Sequence, residues 1–423
     1  MNRICVPVIL LMLLSLNAAA EAPLVLTLAD AVETAEAGST VLKKQRTALR
    51  AAQRRYGYRA SVFLPSLEVS ASLSSPVVDI SAWEAGFSAG LSLSLGAGAL
   101  SGLRQAPIDL ETAEIHYGLT RAEILKQVKK SFFALLMFRE QEGLLEGNID
   151  SLKARYEAAR YDWEAGRIAE YEVLSARLSY LTLLPQLEDL KIRAAGEREK
   201  FLTLLGLPPG TGLELLGSAD ISAALPGRDS VVSAAGGHGS LRLLELDKAR
   251  QEEELRELFD SCYPALNIGI DTNLAFPDPG TIEFFQPGYG TKVYSLSLSV
   301  DLVDFLPFSP QAEKIKAAGE AIEGTELDIR EAARELTTTV DLLLENIGKA
   351  ERDIQVYLFN MELAEEYYRI VSVEYETGRQ DILTLEEADL KLRKARVDLL
   401  ERKSVYLNLL IDLEYYTGLH LIR

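Results

Sequence analysis

Groups able to carry covalent or acid–base chemistry are few and scattered in this chain. His116, His238 and His420 lie far apart, and no Cys/His spacing suits a metal ion. Cys5 falls in an N-terminal apolar run, and Cys262 directly precedes a strand pattern, where packing is expected rather than reactivity. No glycine-rich phosphate loop occurs, so the chain itself is not expected to bind ATP. No catalytic residue, metal or cofactor is expected. What recurs instead is a polar turn. Trp163-Glu164-Ala165-Gly166-Arg167 and Tyr375-Glu376-Thr377-Gly378-Arg379 share one pattern, and each is followed within a few residues by acids, Glu172 in the first case and Asp381 and Glu387 in the second.

These turns sit inside a longer repeat. One constant offset carries Gly166-Arg167 onto Gly378-Arg379, Ala176 onto Ala388, Leu178 onto Leu390 and Leu207 onto Leu419. Upstream it carries Tyr156 onto Tyr368 and Val128 onto Val340, as a duplicated structural unit would. Steps of three and four residues from Val173 meet Ala176, Tyr180, Leu183, Leu187, Leu190, Ala194, Glu197, Phe201 and Leu204. Only Glu197 is polar. The same walk from Leu385 through Ala388, Leu392, Ala395 and Leu399 to Tyr416 is broken only by Arg402. A seven-residue period of this kind forms a coiled-coil seam against neighbouring helices.

Between the turns and the N-terminus the period changes to two. Ser66 to Ser74 alternates serine or Glu68 with Leu67, Val69, Ala71 and Leu73, and Phe87 to Leu95 alternates in the same way. The second half repeats the device at about 265–274 and 293–302, where Leu266, Ile268 and Ile270 and then Tyr294, Leu296 and Leu298 alternate with polar residues. Pro76, Asp79 and Ser81 suit a turn in the first pair, and Pro277, Pro279 and Pro287 mark a longer loop in the second. Strands of about 9 to 10 residues with two unlike faces have the length needed to cross a bilayer when tilted. Phe63, Trp83, Phe87, Tyr263, Phe276, Tyr289 and Tyr294 gather near strand ends, as in an interfacial girdle. A soluble sandwich with one buried face is the other reading of the same alternation.

Helical patterns supply the rest. One is expected from Leu26 to about Ala60, ended by Pro65, and two very long ones from about Ile108 to Trp163 and Gln311 to Tyr375. Each long pattern reaches a glycine turn, at 165–168 or 377–380, and returns as an antiparallel hairpin. The fold class is therefore mainly α with a transmembrane β portion. The halves are 21–216 and 240–423, joined by a Ser/Ala/Gly-rich connector at 217–239. Residues 1–20 read as a signal peptide: Arg3, an apolar run from Ile4 to Leu16, and Ala18-Ala19-Ala20 before Glu21. A net charge of −19 argues against a nucleic-acid partner, and an apolar fraction of 48% argues for a folded chain. Four membrane-length strands cannot close a barrel, and open edges are not tolerated in hydrocarbon, so the chain must associate. Two copies would give eight strands and three would give twelve.

Taken together, the chain resembles the TolC family of outer-membrane efflux proteins over essentially all of the mature sequence. The resemblance is carried by Leu26-Thr27-Leu28-Ala29-Asp30-Ala31, by Leu64-Pro65-Ser66-Leu67 and Tyr263-Pro264-Ala265-Leu266 before strands, and by Leu296-Ser297-Leu298-Ser299-Val300. The paired turns, each followed by an Ala/Leu helix ending in Leu-Gly-Leu or Thr-Gly-Leu, complete it. It implies a homotrimer with a twelve-stranded barrel in the outer membrane and an α-helical tunnel through the periplasm. It also implies a periplasmic adaptor and an inner-membrane transporter of the ABC, RND or MFS type as partners, in efflux or type I secretion. Carried over, Gly166, Arg167, Gly378 and Arg379 are the adaptor-contact turns. The family places acidic rings at two positions three apart, which match Thr384, where the acid is missing, and Glu387; with Glu172, the first-half counterpart of Thr384, and Asp381 one turn earlier, these mark the periplasmic pore entrance. The chain also departs in its short connector and in ending soon after the second repeat. The alternatives are a periplasmic adaptor and a structural envelope protein, although an adaptor needs only one hairpin.

Overall fold

The computed structural model describes residues 24–74, 84–218, 225–276, 290–300 and 302–421. The expected signal peptide, the turn residues Pro76, Asp79 and Ser81, the loop prolines Pro277, Pro279 and Pro287, and the aromatics Trp83 and Tyr289 lie outside them. In chain order the elements are β1 (Leu24–Leu26), α1 (Leu28–Gly38), α2 (Thr40–Gly57), β2 (Ser66–Ser74), β3 (Glu84–Leu95), α3 (Ala97–Glu164) and α4 (Glu170–Leu205). The second half follows with β4 (Leu213–Leu215), α5 (Arg228–Ala235), α6 (Gly239–Asp260), β5 (Ala265–Phe276), β6 (Gly290–Ser299), α7 (Pro310–Glu376) and α8 (Ile382–Thr417). Short 3-10 segments, Arg59–Phe63 and Leu302–Phe305, link helix to strand and strand to helix. The chain forms two compact units.

The first unit takes the described residues up to Gly38 and from Val128 to Ser218. Its helix α1 opens on a reciprocal cap. Thr27 donates its N–H (3.0 Å) and hydroxyl (2.7 Å) to the Asp30 carboxylate, and Asp30 N–H donates back to the Thr27 hydroxyl (3.3 Å). The Leu26-Thr27-Leu28-Ala29-Asp30 motif is thus a helix start, and those bonds hold the Asp30 carboxyl below its ordinary range. The helix expected over 26–60 is interrupted at Gly38-Ser39. There the backbone meets the end of α4 so closely that a Cβ on Gly38 would lie 2.0 Å from Leu205 O. Gly206 closes α4 at φ +73, and Leu207 N–H reaches back to Leu202 O (2.9 Å), the bond that ends a helix on a left-handed glycine. Phe132, Phe201, Leu202 and Leu205 form the buried floor, with Phe132 edge-on to Phe133 at 5.6 Å. The strands β1 and β4 pair in parallel, Leu24 opposite Leu213; three residues each were too short for a period to reveal.

The second unit takes Ser39–Gln127 and the described residues from Leu225 on. It holds one four-stranded sheet in the order β2-β3-β5-β6, antiparallel throughout. The strand expected from 293 begins at Gly290 and ends at Ser299, short of the expected 302. The segment read as a plain connector includes the short helix α5, whose Val231 and Ala235 are buried, and Gly239 already opens α6. Both long helices exceed expectation. The helix α3 begins at Ala97 and so contains Pro107. With 67 residues, α7 extends about 100 Å.

Candidate functional site

Register divides the sheet into two faces. Leu67–Leu91–Ile270–Tyr294 form one cross-strand row, flanked by Leu93–Ile268–Leu296 and Leu95–Leu266–Leu298 on one side and by Val69–Ala89–Thr272–Lys292 and Ala71–Phe87 on the other. Alternation places all of these on one side of the sheet, with Thr272 and Lys292 as its polar members. Ser66–Ser92–Gly269–Ser295, Glu68–Gly90–Asp271–Val293 and Ser70–Ser88–Asn273–Thr291 lie on the other, with Val293 as an apolar member. On that side the serines bond across strands, Ser66 to Ser92 at 2.8 Å and Ser70 to Ser88 at 2.6 Å. Gly90 is small because Asp271 lies over it; a Cβ there would sit 2.5 Å from Asp271 Oδ1.

The apolar side is not a core. Leu296 is 75% exposed and Leu298 70%, Leu91 is also exposed, and Leu93 is half-buried. The soluble-sandwich reading requires these side chains to be covered, and no described element covers them. Among the described residues the outer edges of β2 and β6 pair with no further strand. No described helix is long and apolar enough to cross a membrane. No described group of His, Cys, Asp or Glu could hold a metal ion.

The hairpin turns are built on backbone that favours glycine. Gly166 has φ +72 and Gly378 φ +71. In each, the arginine N–H closes the preceding helix, Arg167 onto Asp162 O and Arg379 onto Glu374 O, both at 2.8 Å. The seams beneath are the predicted ones. Leu183 packs with Ile149 and Leu152, flanked by Tyr180 and Leu187, while Leu385 and Ala388 pack with Val371.

The residues carried over to the entrance have local tasks. The Asp381 carboxylate caps α8, accepting from Thr384 N–H (2.9 Å) and from the Thr384 hydroxyl (2.5 Å). The hydroxyl bond first, then the backbone bond, holds the Asp381 carboxyl below its ordinary range. Thr384, which breaks the acidic pattern, is therefore the partner of a neighbouring acid. Glu387 pairs with Lys391 at 2.7 Å, and Lys391 in turn stands 5.1 Å from the Tyr367 ring centre. Lys391 is raised by that carboxylate. In the other hairpin Glu172 accepts from Ala169 N–H (3.4 Å), and Arg167 pairs with Asp162 (3.0 Å). Lys391 was overlooked in the sequence, although its spacing of four from Glu387 on a helix was signal enough. Asp381, Thr384 and Glu387 lie on successive turns of the start of α8. Glu172 lies in the first turn of α4, in the other unit.

Residues 31–207 match the family described as Outer membrane efflux protein. No curated protein sequence matches the chain. Among solved structures the chain is similar to the outer-membrane channel OprN, at TM-score 0.76 and 16% identity, covering 92% of this chain and 89% of that one. It is similar to the CmeC outer membrane channel of Campylobacter jejuni, at 0.77 and 14%, covering 92% and 85%. It is also similar to the MtrE outer membrane channel of Neisseria gonorrhoeae, at 0.74 and 16%, covering 92% and 88%. At these identities the likeness to solved structures is one of fold. The match over residues 31–207 and the fold shared with outer-membrane channels agree with the TolC-like resemblance.

Proposed function

We propose, for a chain whose residues 31–207 belong to the outer membrane efflux protein family, that three copies close their sheets edge to edge into a twelve-stranded barrel and act as a passive export duct. The observation that carries this reading is the sheet with two open edges and one uncovered apolar face. In hydrocarbon an unpaired backbone N–H or C=O costs several kcal/mol, so β2 of one copy must find β6 of the next. Closure puts the serine face, with Glu68 and Asp271, around water and the leucine face against lipid.

Below the barrel the paired hairpins of three copies line a periplasmic tunnel. The two halves descend from one duplicated unit: shifted by the repeat offset, α8 falls on α4 residue for residue. The turns at Gly166-Arg167 and Gly378-Arg379 meet a periplasmic adaptor, and an inner-membrane transporter supplies the energy and selects the cargo. Glu172, Asp381, Thr384 and Glu387 line the periplasmic entrance. Planar-bilayer recordings of the purified chain test the reading. A duct gives discrete, ohmic conductance steps, whereas an adaptor or envelope spacer gives none.

A further inference from the structure

The region where the first half passes from helix to sheet has an unusual charge. From Ala37 to Leu67 the sequence holds Lys43, Lys44, Arg46, Arg50, Arg54, Arg55 and Arg59 and not one acid, in a chain of net charge −19. All seven are exposed. Arg54 and Arg55 form no ion pair or hydrogen bond with any described side chain. Arg59 bonds only to its own helix end, donating to Tyr56 O (2.9 Å) with its guanidinium 4.0 Å from the Tyr56 ring centre. That contact holds the cation in place without neutralising it.

The corresponding passage of the second half behaves otherwise. At the end of α6, Asp260 and Glu253 are both paired with Arg104, at 2.6 and 2.7 Å, and Arg256 is paired with Glu253. Gln311 ties the last turn to α7 through Leu258 O (2.8 Å) and the Ser261 hydroxyl (2.7 Å). One helix-to-strand passage pairs Asp260 and Glu253 within the chain, and in the other Arg54, Arg55 and Arg59 meet no acid among the described residues.

The surroundings identify the missing partner. The Arg59–Phe63 segment packs on β3, at the end of the sheet from which all the helices leave. Beside the arginines Tyr58 and Leu64 are exposed, and Phe63 with them. Across the same end of the sheet Tyr263, Leu302 and Phe308 are exposed as well, Phe308 at 97%. Arginine next to exposed tyrosine and phenylalanine, just past the end of an apolar sheet face, is the composition of a membrane interface, where rings sit at headgroup level and guanidinium groups reach phosphate. A protein partner matched only by charge would leave the apolar residues uncovered.

We infer that Arg54, Arg55 and Arg59, with Tyr58 and Phe63 beside them, form a docking surface for anionic phospholipid headgroups of the periplasmic leaflet. The inference rests on the barrel reading, which places this end of the sheet on the periplasmic side. The lipid would fix the height of the chain in the bilayer at a point where Asp260 and Glu253 of the second half are paired with arginines of the same chain.

Native mass spectrometry of the full chain in detergent, with phosphatidylglycerol and phosphatidylcholine added in equal amounts, tests it. The wild-type chain should retain phosphatidylglycerol in clear preference. The triple variant Arg54→Gln/Arg55→Gln/Arg59→Gln should lose that preference by roughly fivefold per cation removed, since each is worth about 1 kcal/mol at an anionic surface. Lys43→Gln/Lys44→Gln, at the far end of α2, should keep it. Equal retention of both lipids by the wild-type chain, or an undiminished preference in the triple variant, overturns the inference. A triple variant that falls into single chains in either lipid overturns it too, because the cations then hold neighbouring copies. Pore conductance measured on the same samples keeps the two readings apart: a triple variant that conducts without lipid preference supports both, while a wild-type chain that selects phosphatidylglycerol but never conducts fails only as a duct.

Discussion

The two helical hairpins share a backbone plan and differ in the chemistry laid on it. Each long helix ends at a glycine of near-identical positive φ, and each returning helix ends at another, Gly206 at φ +73 and Gly418 at φ +68. Between these fixed points the side chains diverge. The first turn is braced by charge, with Arg167 on Asp162 and Glu172 bonding back to Ala169, a cap residue with no acceptor of its own. The second is braced by a true cap, Asp381 on Thr384, and its Arg379 side chain is exposed with no described partner. Farther along, α4 carries Pro185 where α8 carries Val397. A proline there removes one N–H from the helix ladder and crowds the carbonyl four residues back. The glycines and the heptad seams give the two hairpins a common conformation, while their surface chemistry differs. Recognition by a partner should therefore differ between hairpins even though their shapes agree.

The strongest way to break this comparison is at the glycines. Gly378→Pro cannot adopt φ +71 and loses the N–H bond to Tyr375 O (2.9 Å), for a local cost on the order of 3 kcal/mol. Gly166→Pro should cost the same, read as faster hydrogen exchange confined to its own turn. If the turns dock the adaptor, Gly378→Pro should also weaken adaptor capture while leaving assembly intact. Unequal backbone disruption would show that the two turns are not one device.

A smaller effect is expected inside the returning helices. Pro185→Ala restores a ladder bond and should stabilise α4 by up to about 3 kcal/mol, whereas Val397→Pro should weaken α8 by at least as much. Exchange rates of amides 181–189 and 393–401 measure both. A Pro185→Ala chain with unchanged exchange would mean that seam packing alone decides the helix.

The smallest effect is a pH dependence belonging to the second hairpin. The Asp381 carboxyl is depressed by its bonds from Thr384, so its stabilising contribution is full above the unfolded value near 3.9 and is lost as pH falls through the lower, folded one. Protection of the Thr384 amide, taken relative to its intrinsic exchange rate, should fall below about pH 4, and Asp381→Asn, still a competent cap, should remove that fall. A Thr384 amide indifferent to acid would assign the bracing elsewhere.

Much of this was legible because it is local. Seams at Leu183 and Leu385, strands beginning at Ser66 and Ala265, and glycine turns all follow from a period or a backbone requirement within a few residues. Contacts between distant segments were not legible. The meeting of Gly38 with Leu205 breaks a helix that looks continuous, and the pairing of β3 with β5, Leu91 opposite Ile270, joins residues far apart in the chain. The helix expected from about Ile108 begins at Ala97 and holds Pro107 inside it, because a helix can lose a single N–H without ending. At the turns the acids were found, but their bonds were not. Asp381 is a cap and Glu387 half of an ion pair, tasks that depend on Thr384 and Lys391.

The central claim is that one chain supplies four strands of a closed wall that needs twelve. Counting chains per particle by native mass spectrometry in mild detergent tests it most directly. The account predicts three, held together without denaturation; a particle of one chain, with Leu296 and Leu298 still bare, would contradict it.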